Sequence, residues 1–281
     1  MTHASQTAQS RRLHPQAGEE TRTPARLLTA VVQYEALPAD GEGEAVAANV
    51  ATHVGFVERA RAEGARFVLF PEFSLTGYEL DALAAAASPS HPGPWLTDHD
   101  ARLQPLQEAC IRTGTTVVVG APWREPDLTP RLASLVIGPD GTIRPVFKTH
   151  LHGAEGKLFV AGAGPGVITV DGWRIALAVC ADAAHPSHAA AAADAQADVY
   201  AVSALYTHGE ELRLGLHMGA RSMDHRLFGL LANLGGETPL GTSCGLSGAW
   251  GPDGASMVQV KGVGTEIVMA ELELSRLNHY R

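Results

Sequence analysis

The sequence of 281 residues contains only three cysteines, Cys110, Cys180 and Cys244, and no apolar run near the ~18 residues that a membrane-spanning helix needs. An odd number of widely spaced cysteines argues against a disulfide framework. Basic residues are also few, because 21 Lys and Arg stand against 30 Asp and Glu, whereas nucleic-acid binders usually carry a basic surplus. We therefore expect a cytoplasmic protein with neither a membrane span nor a nucleic-acid partner.

The N-terminal segment differs in composition from the rest of the chain. Residues 1–25 show no hydrophobic periodicity and almost no large apolar side chains, which is typical of a disordered extension. From residue 26 onward, short apolar runs alternate with amphipathic stretches. The sequence thus predicts a disordered segment over 1–25 and one domain over 26–281, long enough to bury its own core.

The apolar pattern predicts an α/β fold. Buried strands are expected at 27–33, 65–73, 115–122, 197–205, 228–233 and 264–273. Helical stretches are expected at 44–63, 98–113, 185–195 and 209–226. Turn residues such as Asp-Gly predict hairpins within 132–148, 166–180 and 245–260. Alternating strands and helices, mixed with hairpins, indicate mixed sheets.

Three polar residues, Glu72, Lys148 and Cys180, come at the ends of otherwise apolar strands. In α/β folds these strand ends border the ligand crevice, where charged groups are costly to bury unless they pair. A carboxylate there can accept the thiol proton, the thiolate can attack an acyl carbon, and the ammonium can stabilise the oxyanion. Lys148 should also lower the pKa of the thiol, while desolvation raises it.

The segments around these residues resemble the signature blocks of the nitrilase superfamily, the carbon–nitrogen hydrolases. The blocks are FPEFSLTGY at 70–78, FKTHLHGAEGKLFVAG at 147–162 and AVCADAAHP at 178–186, in the order glutamate, lysine, cysteine. The resemblance extends over about residues 27–273. It implies a four-layer α-β-β-α sandwich that pairs through a helix face into a homodimer or a higher homo-oligomer.

The resemblance also implies roles for individual residues. Glu72 is expected to be the general base and acid, Lys148 to stabilise the tetrahedral intermediate, and Cys180 to be the nucleophile. Glu155 matches a second glutamate that orients these three, and the backbone N–H of Ala181 would complete the oxyanion hole. The implied reaction cleaves a non-peptide C–N bond of a small amide or carbamoyl substrate through a thioester that water hydrolyses, with no metal or organic cofactor.

Further aromatic and hydroxyl side chains are candidates for the pocket wall, although each fits a packing role equally well: Tyr78, Phe159, Ser203 and Tyr206. Amidase-type relatives carry an aromatic residue, Asp and then Arg-Phe-Pro after the cysteine, whereas this chain has ADAAHP at 181–186. The shape of the pocket therefore does not transfer from the family. Because Trp-Glu is absent after the cysteine, an amide is favoured over a nitrile.

Other functions remain open at this point. A nitrilase or an acyltransferase of the same superfamily would use the same residues, and a binding protein with this fold would use none of them. A metal-dependent hydrolase is a further alternative, suggested by the pair His150 and His152 with His185 and His188 nearby. The charge of Lys148 beside that pair opposes a divalent ion, which disfavours a metal site.

Overall fold

A computed structural model describes residues 23–39, 43–86 and 93–281. The predicted disordered extension over 1–25 lies almost wholly outside the described residues, which begin at Thr23. Within the described part, no helix is long and apolar enough to cross a membrane.

The strands in chain order are β1 Arg26–Gln33, β2 Phe67–Leu69, β3 Thr116–Arg124, β4 Pro130–Ile137, β5 Ile143–Phe147, β6 Gly166–Val170, β7 Trp173–Val179, β8 Val199–Ala204, β9 Phe228–Asn233, β10 Glu237–Thr238, β11 Gly241–Thr242, β12 Gly248–Trp250, β13 Ser256–Gln259 and β14 Glu266–Glu273. The helices are α1 Glu44–Ala62, α2 Leu80–Ala85, α3 Gln104–Thr113, α4 Pro186–Asp194, α5 Glu211–His225 and α6 Leu274–Tyr280.

Two six-stranded sheets share one plan. The first has the order β14-β1-β2-β3-β4-β5, and the second has the order β13-β12-β9-β8-β7-β6. In each sheet three central strands run parallel, β1 to β3 in the first and β7 to β9 in the second, and antiparallel strands flank them. Because parallel neighbours need crossover connections, the helices cover the sheet faces.

The alternation of side chains along the strands builds four layers. In β1, Val31 faces the second sheet, whereas its neighbours Ala30 and Val32 face α1 and α3. One apolar cluster fills the space between the sheets, and a second lies between the first sheet and α1 with α3. A third cluster lies between the second sheet and α4 with α5. The predicted α-β-β-α sandwich is therefore confirmed.

The element boundaries differ from the sequence prediction in a few places. Strand β2 is only three residues long, whereas a strand over 65–73 was expected, because Pro71 has no N–H to donate and the chain turns at Glu72. Helix α6 and the two-residue strands β10 and β11 were not predicted. Each is too short to show a hydrophobic period.

Candidate active site

Glu72 lies in a tight turn directly after β2, and the turn packs against Gly120 of β3. A Cβ atom at position 120 would come within 2.3 Å of the backbone N of Phe73 and of the backbone O of Pro71. No residue with a Cβ fits there without movement of the turn. The glycine in β3 therefore allows the close approach that places Glu72 at the end of the sheet.

Lys148 follows β5 directly and is fully buried. Its Nζ donates to Glu72 Oε1 at 2.7 Å and lies 2.9 and 2.8 Å from the two carboxylate oxygens of Glu155. The Tyr78 hydroxyl donates to Glu155 Oε1 at 2.7 Å. One ammonium group thus lies between two carboxylates, and this pairing offsets the cost of removing the three charges from water.

The buried charges set the protonation of this group. Burial raises the pKa of Glu72 to about 7, against the attraction of Lys148. Burial alone would lower the pKa of Lys148, but the negative charges of Glu72, Cys180 and Glu155 together raise it. Within the described residues, Glu72 Oε2 has no hydrogen-bond partner of standard geometry. A carboxylate with a free oxygen and a pKa near neutrality is suited to accept and return protons.

Cys180 begins a short 3-10 turn directly after β7, with φ at +46°. This left-handed conformation is uncommon for a residue with a Cβ and stores strain at the turn. The thiol Sγ lies 3.6 Å from the backbone O of Leu205. Burial and then the charge of Glu72 raise the pKa of the thiol, while Lys148 lowers it, and the net shift is upward. The expected competition therefore ends in favour of desolvation, so the resting thiol is protonated and needs a base.

Asp182 connects the lysine segment to the cysteine segment and is itself buried. Its Oδ1 accepts a hydrogen bond from the backbone N of His150 at 2.8 Å and lies 2.9 Å from that residue's Nδ1. Its Oδ2 accepts from the backbone N of Val179 at 3.0 Å. Asp182 thereby fixes the chain just after Lys148 to the chain just before Cys180. The only sequence signal for this role was an acidic residue two positions after the predicted nucleophile.

The histidines that suggested a metal site make other contacts. The rings of His150 and His185 stack with centroids 3.8 Å apart, and His188 Nδ1 lies 2.9 Å from the Tyr200 hydroxyl. Stacked rings direct their nitrogens along parallel planes, not toward a common point. In the part of the chain that the structure describes, no group of three or more His, Cys, Asp or Glu is placed to hold a metal ion.

A cavity of about 70 Å³ opens beside Cys180. Its wall includes three of the predicted pocket residues, Tyr78, Ala181 and Tyr206, and also Glu155. The remaining wall consists of residues for which the sequence gave no role in the pocket: His152, Ala184, Leu205, Glu210, Arg213 and Leu240. Charged residues in the first turn of an amphipathic helix look like a solvent-facing surface, which is why Glu210 and Arg213 were missed.

Two predicted pocket residues lie outside this wall. Phe159 is buried among aromatic side chains, with its ring centroid 6.0 Å from that of Phe73 and 5.6 Å from that of Trp95. Ser203 is fully buried, and its Oγ donates to the backbone O of Phe70 at 2.7 Å. This hydrogen bond connects β8 of the second sheet to the segment that leads into Glu72. Both residues therefore support the site from behind.

Comparisons with known proteins agree with this arrangement. A profile of the carbon-nitrogen hydrolase family matches residues 28–281. A hydrolase in the pqqF 5' region of Pseudomonas protegens is 26% identical over 225 residues, which cover 78% of this chain and 76% of that protein.

Solved structures show the same fold at low sequence identity. The NitN amidase from Nesterenkonia sp. AN1 is 24% identical with a TM-score of 0.77, and the match covers 91% of this chain and 96% of that one. Nit3 from Saccharomyces cerevisiae, of branch 10 of the nitrilase superfamily, is 20% identical with a TM-score of 0.79 over 94% and 96% of the two chains. In one structure of the Nesterenkonia amidase, acrylamide has added to the active-site cysteine.

Proposed function

This chain belongs to the carbon–nitrogen hydrolase family, and from that premise we propose that it is a cysteine-dependent amidase of the omega-amidase-like kind. Its substrate is a small linear amide or carbamoyl compound. The observation that carries the proposal is the buried pairing of Lys148 with Glu72 and Glu155 beside the thiol of Cys180. Such a set supplies a proton acceptor, a fixed positive charge and a nucleophile at one place.

The first half of the reaction forms a thioester. Glu72 takes the proton from Sγ of Cys180, and the sulfur attacks the amide carbon. The negative charge that develops on the carbonyl oxygen is stabilised by Lys148 Nζ and by the backbone N–H of Ala181. Glu72 then gives its proton to the departing nitrogen, the C–N bond breaks, and ammonia or an amine leaves.

The second half hydrolyses the thioester. Glu72, again ionised, takes a proton from a water molecule, which attacks the acyl carbon. The tetrahedral intermediate collapses to the acid product, and the sulfur leaves with the proton that Glu72 returns. Glu155, held by the Tyr78 hydroxyl, keeps Lys148 in place through both halves. Every step uses only protein groups, the substrate and water.

Intact-mass analysis with a panel of small amides, combined with measurement of ammonia release, tests this proposal. An acyl adduct is expected on the wild-type protein and on Cys110→Ala, whose thiol is buried in α3. Cys180→Ala should form no adduct and lose at least ~10⁴-fold in turnover, in line with the loss of a catalytic nucleophile elsewhere. Ammonia release at the wild-type rate by Cys180→Ala would contradict the proposal, and release only on addition of an amine would indicate an acyltransferase.

A further inference from the structure

The start of α5 brings a charged pair to the cavity beside Cys180. Arg213 and Glu210 both form part of the cavity wall. Arg213 Nη1 donates to Glu210 Oε1 at 2.8 Å, and the two side chains are 52% and 31% exposed. The pair therefore lies at the open side of the cavity, whereas Glu72 and Lys148 lie fully buried at its inner side.

The two members of the pair differ in how far their hydrogen-bonding capacity is used. Glu210 accepts from Arg213 at Oε1 and from the backbone N and the Oγ1 of Thr207 at Oε2, at 2.9 and 3.2 Å. Arg213 donates only through Nη1 to any residue that the structure describes. Since a guanidinium carries five N–H donors, most of those on Arg213 remain available to a ligand. The open side of the cavity thus offers donors and a positive charge.

Tyr206 connects this pair to the reacting end of the cavity. Its ring lies in the cavity wall, and its hydroxyl lies 2.9 Å from Nδ1 of His217 on α5. Burial and the charge of Cys180 raise the pKa of Tyr206, and the charge of Arg213 lowers it, so both groups lie within electrostatic reach of this side chain. A ligand that lies across Tyr206 therefore has one end at the thiol and the other near the guanidinium.

We propose that Arg213 binds a carboxylate at the end of the substrate remote from the scissile amide, so that the preferred substrates are short ω-amides of dicarboxylic acids. This inference rests on the proposed amidase function. A guanidinium matches a carboxylate with two parallel hydrogen bonds. A cavity of about 70 Å³ holds roughly five water-sized groups, which limits the linker to about two carbons. A cationic substrate is disfavoured because the Glu210 carboxylate is already occupied.

A matched pair of amides tests the assignment. Succinamate carries the carboxylate, and 4-methylpentanamide replaces it with an isopropyl group of similar shape. In Arg213→Gln, kcat/KM for succinamate should fall by about 10- to 100-fold, the scale of a charge-assisted hydrogen bond, while the neutral amide changes less than about twofold. Glu210→Gln should raise kcat/KM for succinamate a few-fold, because it removes a competing negative charge. Arg226→Gln, at the other end of α5, is the control and should change neither.

Binding to a variant without the nucleophile separates this inference from the proposed function. Cys180→Ala should bind succinamate in a calorimetric titration, and adding Arg213→Gln should weaken that binding by a similar factor. If binding weakens as expected but no amide releases ammonia, the role of Arg213 stands and the amidase proposal fails. If both amides are hydrolysed and Arg213→Gln changes neither, or lowers both equally, the assignment of Arg213 is overturned while the amidase proposal stands.

Discussion

The two sheets follow the same strand order, yet they hold their parts of the site by different means. The first sheet carries Glu72 and Lys148, which are fully buried and fixed by their ion pair. The second sheet carries Cys180, a partly buried neutral thiol whose position is set by a left-handed backbone turn. Charged groups can be fixed by each other, whereas a thiol makes only weak hydrogen bonds and needs the backbone to place it.

This difference predicts two kinds of sensitivity. On the first sheet, a change of charge alters protonation and leaves the backbone in place. Where the sheets meet, a change in backbone packing or in a crossing hydrogen bond alters distances between groups that remain chemically intact. The variants below separate the two effects, beginning with the largest.

Glu72→Gln removes the proton acceptor with almost no change of shape. Turnover should fall by about 10²- to 10⁴-fold, the range for loss of a general base. The pH profile of the wild type should show loss of kcat/KM as the pH falls below about 7, because protonation of Glu72 removes the base. Steady-state ammonia release at several pH values measures both effects. A wild-type profile in the Gln variant would show that another group accepts the proton.

The same variant should be more stable than the wild type at alkaline pH. The pKa of Glu72 rises from its ordinary value of 4.5 to about 7 on folding, chiefly through burial, so the folded state binds this proton more tightly than the unfolded state. Its contribution to stability is full below about pH 4.5 and is lost as the pH rises through 7. Urea unfolding at pH 5 and pH 8 should therefore show the wild type losing stability relative to Glu72→Gln. An unchanged difference would mean that the carboxylate is not raised.

Gly120→Ala tests backbone packing on the same sheet without altering any charged group. The added Cβ would lie 2.3 Å from backbone atoms of the Glu72 turn, so the turn must shift. We expect a loss of about 1–3 kcal/mol in the free energy of unfolding, typical of overpacking, and a fall of at least ~10-fold in turnover.

Gly55→Ala is the matched control for this substitution. Gly55 lies within α1, and a Cβ there meets no atom within 4 Å. Alanine should leave turnover unchanged and raise the free energy of unfolding by up to about 1 kcal/mol, because alanine favours a helix more than glycine does. Wild-type turnover in Gly120→Ala would show that the turn tolerates displacement.

Features that repeat locally along the chain could be predicted from the sequence. Apolar runs and Asp-Gly turns identified most strands and the three hairpins, because burial and turn conformation act on neighbouring residues. The chemistry-bearing residues stood out because a polar side chain at the end of an apolar strand is unusual. The structure brings Glu72, Lys148 and Glu155 within hydrogen-bonding distance, although they are up to 83 positions apart.

Contacts across the two sheets were beyond the sequence. Ser203 looked like a pocket residue because it ends a strand, but its partner is a carbonyl of the other sheet. Phe159 looked like a pocket wall, but aromatic neighbours from distant segments surround it. Arg213 looked like an ordinary surface charge. In each case the side chain's role depends on which segments fold against it, and that information is not local.

Asp182 is the crossing contact whose loss should have the smallest effect of those considered. Asn at this position keeps the shape but loses the charge, and its amide nitrogen must face one of the backbone N–H groups of His150 or Val179. One buried donor is then unsatisfied, which costs about 1–3 kcal/mol of stability. Because the lysine and cysteine segments would no longer be held together, kcat should fall by about 10-fold with little change in KM.

Asp194→Asn, at the exposed end of α4, controls for the loss of a negative charge near this part of the fold and should leave kcat and stability unchanged. Measuring kcat well below the unfolding temperature of each variant separates position from unfolding. A stable Asp182→Asn with normal kcat would contradict the role of Asp182 in holding the two segments, because Cys180 and Lys148 would then keep their spacing without it. A loss of stability with kcat unchanged would assign Asp182 to the fold alone.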